Sequence, residues 1–169
     1  LNARLSDRET NYTASFAEPY FLNRDLYASA NLYNNTIDYK ESSYDHKREG
    51  INISGNYSLS EYIRQSLRYS LELRKVTPRT GASASIVAEK GETTLSEIST
   101  SININTTNSN IEPSDGYIVS IDSAFAGIGG DKNFIRINNS GNYYKSFNDE
   151  TIIIGLGYNS GIIMGIDQN

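Results

Sequence analysis

Arg64, Arg68, Glu72 and Arg74 form the row of charge in this 169-residue sequence that could do chemistry. Guanidinium and carboxylate groups set along one line can tune the passage of ions or hold a plug loop. Hydration of a wet interior, with Arg–Glu pairing, is the plainer role for the same row. No nucleophile–base constellation accompanies it, and the residues specify no enzyme. The single histidine, His46, stands beside Asp45 and reads as a solvated loop residue without the partners a metal or acid–base site needs. With no cysteine, neither disulfides nor thiolate metal sites are available. Gly127-Ile128-Gly129-Gly130 has the glycine content of a phosphate-cradling loop, but no helix follows to offer its N-terminus, so it predicts a hairpin turn. Asn52-Ile53-Ser54 and Asn138-Asn139-Ser140 fit the glycosylation triplet. They fall on strand alternations, and the abundance of Asn and Ser accounts for them. Neither a metal nor a cofactor is expected.

The charged row needs an element to hold it, and the same residues name that element. Between 63 and 74 the odd positions after Ile63 are Gln65, Leu67, Tyr69, Leu71 and Leu73, and the even ones are Arg64, Ser66, Arg68, Ser70, Glu72 and Arg74. Successive strand side chains point to opposite faces, so a strand has one apolar and one charged face here. A helix would set Arg64, Leu67, Arg68 and Leu71 on one stripe. The run also exceeds the roughly five or six residues of a soluble strand and suits the roughly nine to eleven of a membrane-crossing one.

Similar alternation recurs along the chain. Leu1, Ala3 and Leu5 lead to a polar turn at Asp7-Arg8-Glu9, then Tyr12, Ala14 and Phe16 share a face. Leu26, Ala28, Ala30 and Leu32 follow, then a charged loop over 38–48, then Ile51, Ile53, Gly55 and Tyr57. The longest loop is expected over 77–93. Beyond it come Ile98, Thr100, Ile102 and Ile104, then Tyr117, Val119, Ile121 and Phe125, then Ile135, Ile137 and Tyr143. The last run sets Ile152, Ile154, Leu156 and Tyr158 outward, with Gly155 and Gly157 opposite. This predicts about nine strands with alternately short and long links and no helix. Tyr20, Phe21, Tyr33, Tyr57, Tyr62, Phe125, Tyr143 and Tyr144 gather towards run ends as girdle candidates.

Composition narrows the class. Only 37% of residues are hydrophobic, a poor supply for a two-sheet core, and no apolar run reaches the roughly twenty residues of a membrane helix. Thirteen Tyr and five Phe argue against disorder, and a net charge of -5 gives no attraction for nucleic acid. An all-β, antiparallel, up-and-down transmembrane β-barrel segment of about nine strands, part of a larger barrel, satisfies these constraints together. On that reading Leu67, Tyr69, Leu71, Leu73, Ile152, Ile154 and Leu156 face lipid, while Arg64, Arg68, Glu72 and Arg74 face the lumen. The alternative architecture is a soluble β-sandwich, as in an adhesion domain.

Four turn motifs then suggest a family. Glu18-Pro19-Tyr20-Phe21-Leu22 closes one strand before Leu26 opens the next, and Tyr57-Ser58-Leu59-Ser60-Glu61-Tyr62 forms a short link. Glu112-Pro113-Ser114-Asp115-Gly116-Tyr117 is a turn with Ser114 where Thr is usual, and Phe125-Ala126-Gly127-Ile128-Gly129-Gly130-Asp131 is the next turn. Their order and spacing over nearly the whole of 1–169 resemble the bacterial surface-antigen barrel family, the barrels of BamA-type outer-membrane assembly factors. The resemblance implies a central fragment, from the third to about the eleventh of roughly sixteen strands. The family's signal peptide, POTRA repeats, first and last strands and Arg-Gly-Phe loop motif are not found in these residues. It also implies location in the cell outer membrane and a role in folding and inserting β-barrel proteins. Outer-membrane lipids, unfolded β-barrel clients and accessory assembly lipoproteins would be the partners. A porin or polypeptide-secretion channel of the same superfamily is the alternative function.

Overall fold

The computed structural model describes residues 2–5, 9–39, 43–148 and 151–166, with side chains from residue 9 onward. The described residues form nine strands in chain order: β1 Asn2–Leu5, β2 Glu9–Glu18, β3 Leu26–Tyr39, β4 Tyr44–Ser58, β5 Ile63–Pro78, β6 Gly91–Asn105, β7 Gly116–Ala126, β8 Phe134–Phe147 and β9 Ile152–Gly165. Each pairs antiparallel with its sequence neighbours, giving one sheet in the order β1 to β9. Among the described residues no second sheet packs on it. Among the described residues the buried hydrophobic side chains are only Ala124 and Ala126, while Phe16 is 63% and Leu156 is 65% exposed. The sandwich alternative is thereby excluded, because its apolar faces would bury one another.

Register explains why two kinds of face emerge. Directly paired residues share a face, so pairings can be followed across the sheet. Phe16, Ala30, Ile53, Tyr69, Ile98, Phe125, Ile135 and Met164 form one continuous apolar row. The next row on the opposite face reads Ala17, Ser29, Ser54, Arg68, Ser99, Ala124, Arg136 and Ile163. A slip of one residue in any strand would exchange the two sets, so alternation fixes register. Gln65, the polar exception on the apolar face of β5, is satisfied on both sides. Its Oε1 accepts from Tyr57 Oη at 2.6 Å, and its Nε2 donates to Thr100 Oγ1 at 3.3 Å.

The strands run further than sequence patterning indicates. Most of the loop expected over 38–48 belongs to the β3–β4 hairpin, paired out to Tyr39 and Tyr44, whose rings stack at 4.7 Å. His46 consequently sits in a strand, not in a loop, opposite Ile37 and Val76. Likewise β5 and β6 take up both ends of the loop expected over 77–93. The remainder contains a short helix, α1, at Ala84–Ala88, capped by the Ser83 hydroxyl accepting from the Ile86 amide. One helical turn is too short to show a 3.6-residue period, so the residue pattern carries no helix signal. Of the first polar turn, Asp7 and Arg8 lie outside the described residues, and Glu9 already begins β2.

Links also depart from a strict short–long alternation. The link 59–62 is tight, but 106–115, at the same end of the sheet, is longer than 127–133 at the other. The Asn108 side chain organises it: Oδ1 accepts from the amides of Ser114 and Asp115 at 3.0 and 3.1 Å, and Nδ2 donates to Ser114 Oγ at 2.7 Å.

Candidate functional site

The four predicted charges do share one face of β5, and cross-strand register supplies their neighbours. Arg64 lies between Ser58 and Asn103, Arg68 between Ser54 and Ser99, Glu72 between Gly50 and Leu95, and Arg74 between Arg48 and Thr93. They do not act as one cluster. Glu72 is the buried member, 8% exposed, and its carboxylate accepts from Tyr33 Oη at 2.5 Å and from Arg74 Nε. Arg64 and Arg68 are exposed on the same face.

Three further residues belong to this network. Tyr33, expected in an aromatic girdle, lies within β3 on the polar face because its parity places it opposite Gly50. Gly50 leaves the space that Tyr33 occupies: an added Cβ would lie 2.7 Å from Tyr33 Oη and 2.6 Å from the Leu71 carbonyl oxygen. Arg48 is the cross-strand neighbour of Arg74, a like-charge pairing beside the Glu72 carboxylate. A second ion pair, Arg136 Nη2 at 3.1 Å from both carboxylate oxygens of Glu97, stands further along the polar face. A lone Arg in an Ile-Arg-Ile alternation identified its face, but not a partner 39 residues away. Tyr144, another girdle candidate, is also on the polar face, opposite Gly116 and Gly155.

The predicted apolar set shares the other face. Leu67, Leu71 and Leu73 are exposed, as are Ile152, Ile154 and Leu156 on β9. Tyr69 is half-buried because its hydroxyl meets Ser96 Oγ at 3.1 Å. The face changes character beyond Leu73, where Lys75 Nζ pairs with Glu92 at 2.7 Å.

The turn motifs are structural. Glu18 ends β2, Pro19 and Tyr20 turn the chain, and Phe21 begins a 3-10 turn that ends at Asn23. Pro113, Asp115 and Gly116 close the Asn108 loop onto β7. Gly116 has φ +104°, and a Cβ there would lie 2.5 Å from the Thr106 carbonyl oxygen, so the turn requires glycine. Asp115 accepts from Lys145 Nζ at 2.7 Å and from Ser146 Oγ, which together hold its carboxyl below the usual range. The turn at Gly129, Gly130 and Asp131 extends β6's pairing beyond the end of β7. Gly127 N donates to the Ser96 carbonyl at 3.3 Å, and Asp131 N donates to that of Thr94 at 2.8 Å.

Chemically, this surface offers ion pairing, hydrogen bonding and a wetted charged wall. Among the described residues no three His, Cys, Asp or Glu side chains are grouped to hold a metal ion. No described helix is long and apolar enough to cross a membrane, a finding that leaves strands free to do so.

A continuous up-and-down sheet with one apolar and one polar face is the wall of a transmembrane β-barrel. Residues 1–168 match the Omp85 superfamily domain, and the chain belongs to that superfamily. It is 30% identical over 158 residues to the outer membrane protein assembly factor BamA of Neorickettsia risticii (strain Illinois), covering 92% of this chain and 21% of that protein. The chain thus spans about a fifth of the curated relative's length. The crystal structure of BamA from Haemophilus ducreyi lacking POTRA domains 1-3 matches with a TM-score of 0.77 at 16% identity, over 94% of this chain and 34% of that one. The fold is therefore a segment of a BamA-like barrel, and its location is the outer membrane.

Proposed function

We propose that this segment is the central wall of a BamA-type assembly factor that folds and inserts β-barrel proteins into the outer membrane without covalent chemistry. The supporting observation is a relationship that runs almost the length of the chain to a protein named for outer-membrane protein assembly. In this reading the apolar face, with Leu67, Tyr69, Leu71, Leu73, Ile152, Ile154 and Leu156, contacts lipid. The ten steps from Ile63 to Leu73 measure about 33 Å along a strand, and about 25 Å once tilted by about 40°. That height fits the apolar band of an outer-membrane barrel, and the Lys75–Glu92 pair lies just beyond it.

The polar face, with Arg64, Arg68, Glu72 and Arg74, lines the wet interior. Its charges can be hydrated there or paired, whereas lipid would leave them unsatisfied. The wall's task is to stay paired. Strands β3 to β8 give both edges to neighbours along most of their length, so a client strand adding by edge pairing needs an edge other than theirs. Accessory lipoproteins would act on parts of the protein beyond this wall.

Reconstitution tests this reading. The full-length protein in liposomes, with its accessory lipoproteins, is expected to speed folding of an unrelated outer-membrane barrel relative to empty liposomes. Equal rates with and without it would contradict the assembly reading. Ion conductance without such acceleration would support a channel instead.

A further inference from the structure

The link from 79 to 90 is pinned where it leaves β5. Arg79 bridges Asp38 and Asp45, and its amide donates to the Ser43 carbonyl at 2.7 Å. From there α1 folds back over the polar face, where Ile86 shares a cavity of about 490 Å³ with His46, Val76 and Leu95. Ile86 is half-buried, whereas Val87 beside it is 51% exposed. Nothing polar fastens this cover. Among the described residues the hydrogen bonds of 80–90 all stay within the link, and no ion pair joins that segment to a strand. A single helical turn does not persist by itself, so α1 depends on its apolar seat.

Under the cover lies a side chain whose charge can change near neutral pH. His46 sits one row past Lys75, outside the apolar band, between Ile37 and Val76. The charges around it are unbalanced. Arg48 lies on its own strand, Arg74 on β5, Lys90 on the 79–90 link and Lys132 on the link between β7 and β8. The carboxylates are Glu72, which already accepts from Tyr33 and Arg74, and Glu89 of the link. Tyr44 adds a phenol, and β6 adds only Thr93 and Leu95. Burial and the Arg48 and Arg74 guanidinium groups oppose a proton on the imidazole more than the two carboxylates favour it. Lifting the link removes Glu89 and Lys90 together, so the gain for a protonated ring is chiefly its hydration.

We propose that the 79–90 link is an acid-released strap, resting on the polar wall while His46 is neutral and lifting when the ring takes up a proton. In the lifted state the hydrated ring takes its proton at about pH 6.5, the ordinary histidine value, and in the seated state only at a lower pH. Seating is therefore fully favoured above about pH 6.5 and is lost progressively as pH falls through the seated value. One unit below the ordinary value, the proton can shift the balance by at most about ten-fold. The device goes beyond the assembly reading, and its test is independent of whether the protein speeds folding of a client barrel.

Amide hydrogen exchange of the full-length protein in nanodiscs provides that test, with 84–90 followed at pH 7.5 and 5.5 and corrected for intrinsic rates. Both values lie above the ordinary carboxylate range of about 4, so a histidine and not a carboxylate is being titrated. Exchange over 84–90 should quicken about five- to ten-fold in acid, while the β8–β9 ladder stays unchanged. H46Q should keep the slow rate at both pH values, and H46R should show the fast rate at both. R48Q should shrink the acid response, because the seated ring could then hold its proton. No acid response in the parent, an equal response in H46Q, or slow exchange in H46R at pH 7.5 would overturn the proposal. Acid quickening that spreads to β8 and β9 would overturn it as well, since the whole wall would then be loosening.

Discussion

The polar face is built in two different ways on the two sides of the sheet. Across β3 to β6 it is ionic: Tyr33, Glu72 and Arg74 are linked over Gly50, and Glu97 reaches Arg136 on β8. Along β9 and the part of β8 from Asn138 onward the recess is neutral. Gly155, Gly157 and Gly161 of β9 lie beneath Tyr144, Asn142 and Asn138 of β8. In the ionic region a cross-strand contact is specified by charge and hydrogen bonding, so it is directional and intolerant of a lost partner. In the neutral region it is specified by the absence of a Cβ, and the covering amides can swing aside. The same hydrated surface is thus rigid where charges interlock and yielding where glycines are overlaid.

Adding a methyl group should separate the two regions most sharply. Gly50→Ala places a Cβ 2.6 Å from a backbone carbonyl oxygen, which cannot retreat without breaking the β4–β5 ladder. A loss of about 2–3 kcal/mol is expected from urea unfolding of the full-length protein in lipid. Gly161→Ala meets chiefly the end of the Asn138 side chain and should cost less than about 1 kcal/mol. Equal costs would remove the distinction.

Removing charge is the next effect. Glu72→Gln keeps the shape but removes the carboxylate charge beside the facing Arg48 and Arg74, at about 1–2 kcal/mol in the same assay. Asn142→Ala in the neutral region should change the midpoint by a few tenths of a kcal/mol at most.

Acid should act at the sheet end where Asp115 ties β7 to β8. Its folded carboxyl is held below the ordinary range by the hydrogen bonds from Lys145 and Ser146. A depressed carboxyl contributes stability above its unfolded value, about 3.9, and loses it as pH falls through the lower folded value. Parent and Asp115→Asn should therefore differ in urea midpoint at pH 7 and converge as the pH falls past the lowered folded value. The smallest effect is expected from Arg79→Ala. This residue bridges Asp38 at 2.9 Å and Asp45 at 2.6 Å from the 79–90 link, so its loss should quicken proteolysis there without shifting global unfolding.

The apolar half of this architecture was readable because an alternating strand writes its two faces into successive residues. Leu67, Leu71, Arg64 and Arg68 could be assigned from period alone. Strand ends were not readable. Once β3, β4 and β5 pass beyond the apolar band, the apolar face turns polar at Lys75, Asp38 and Asp45 while Ile37 and Val76 flank His46 on the other, so the alternation is lost although pairing continues. The ionic network was hidden for another reason. Tyr33 and Glu72 meet only through the register of two hairpins, and Gly50 looks like any strand glycine until its neighbour is known. The turn motifs gave the strand order, yet nothing local revealed that Gly127 and Asp131 would continue the pairing of β6.

Opposite environments for the two faces of β5 are the central claim, and residues 1–169 contain no cysteine to complicate labelling. Single cysteines at 64, 67, 68, 71, 72 and 73 of the full-length protein in liposomes would carry an environment-sensitive fluorophore. Quenching by brominated lipid at 67, 71 and 73, with quenching by a water-soluble agent at 64, 68 and 72, is the predicted outcome. Uniform quenching along the strand, or the reverse pattern, would contradict it.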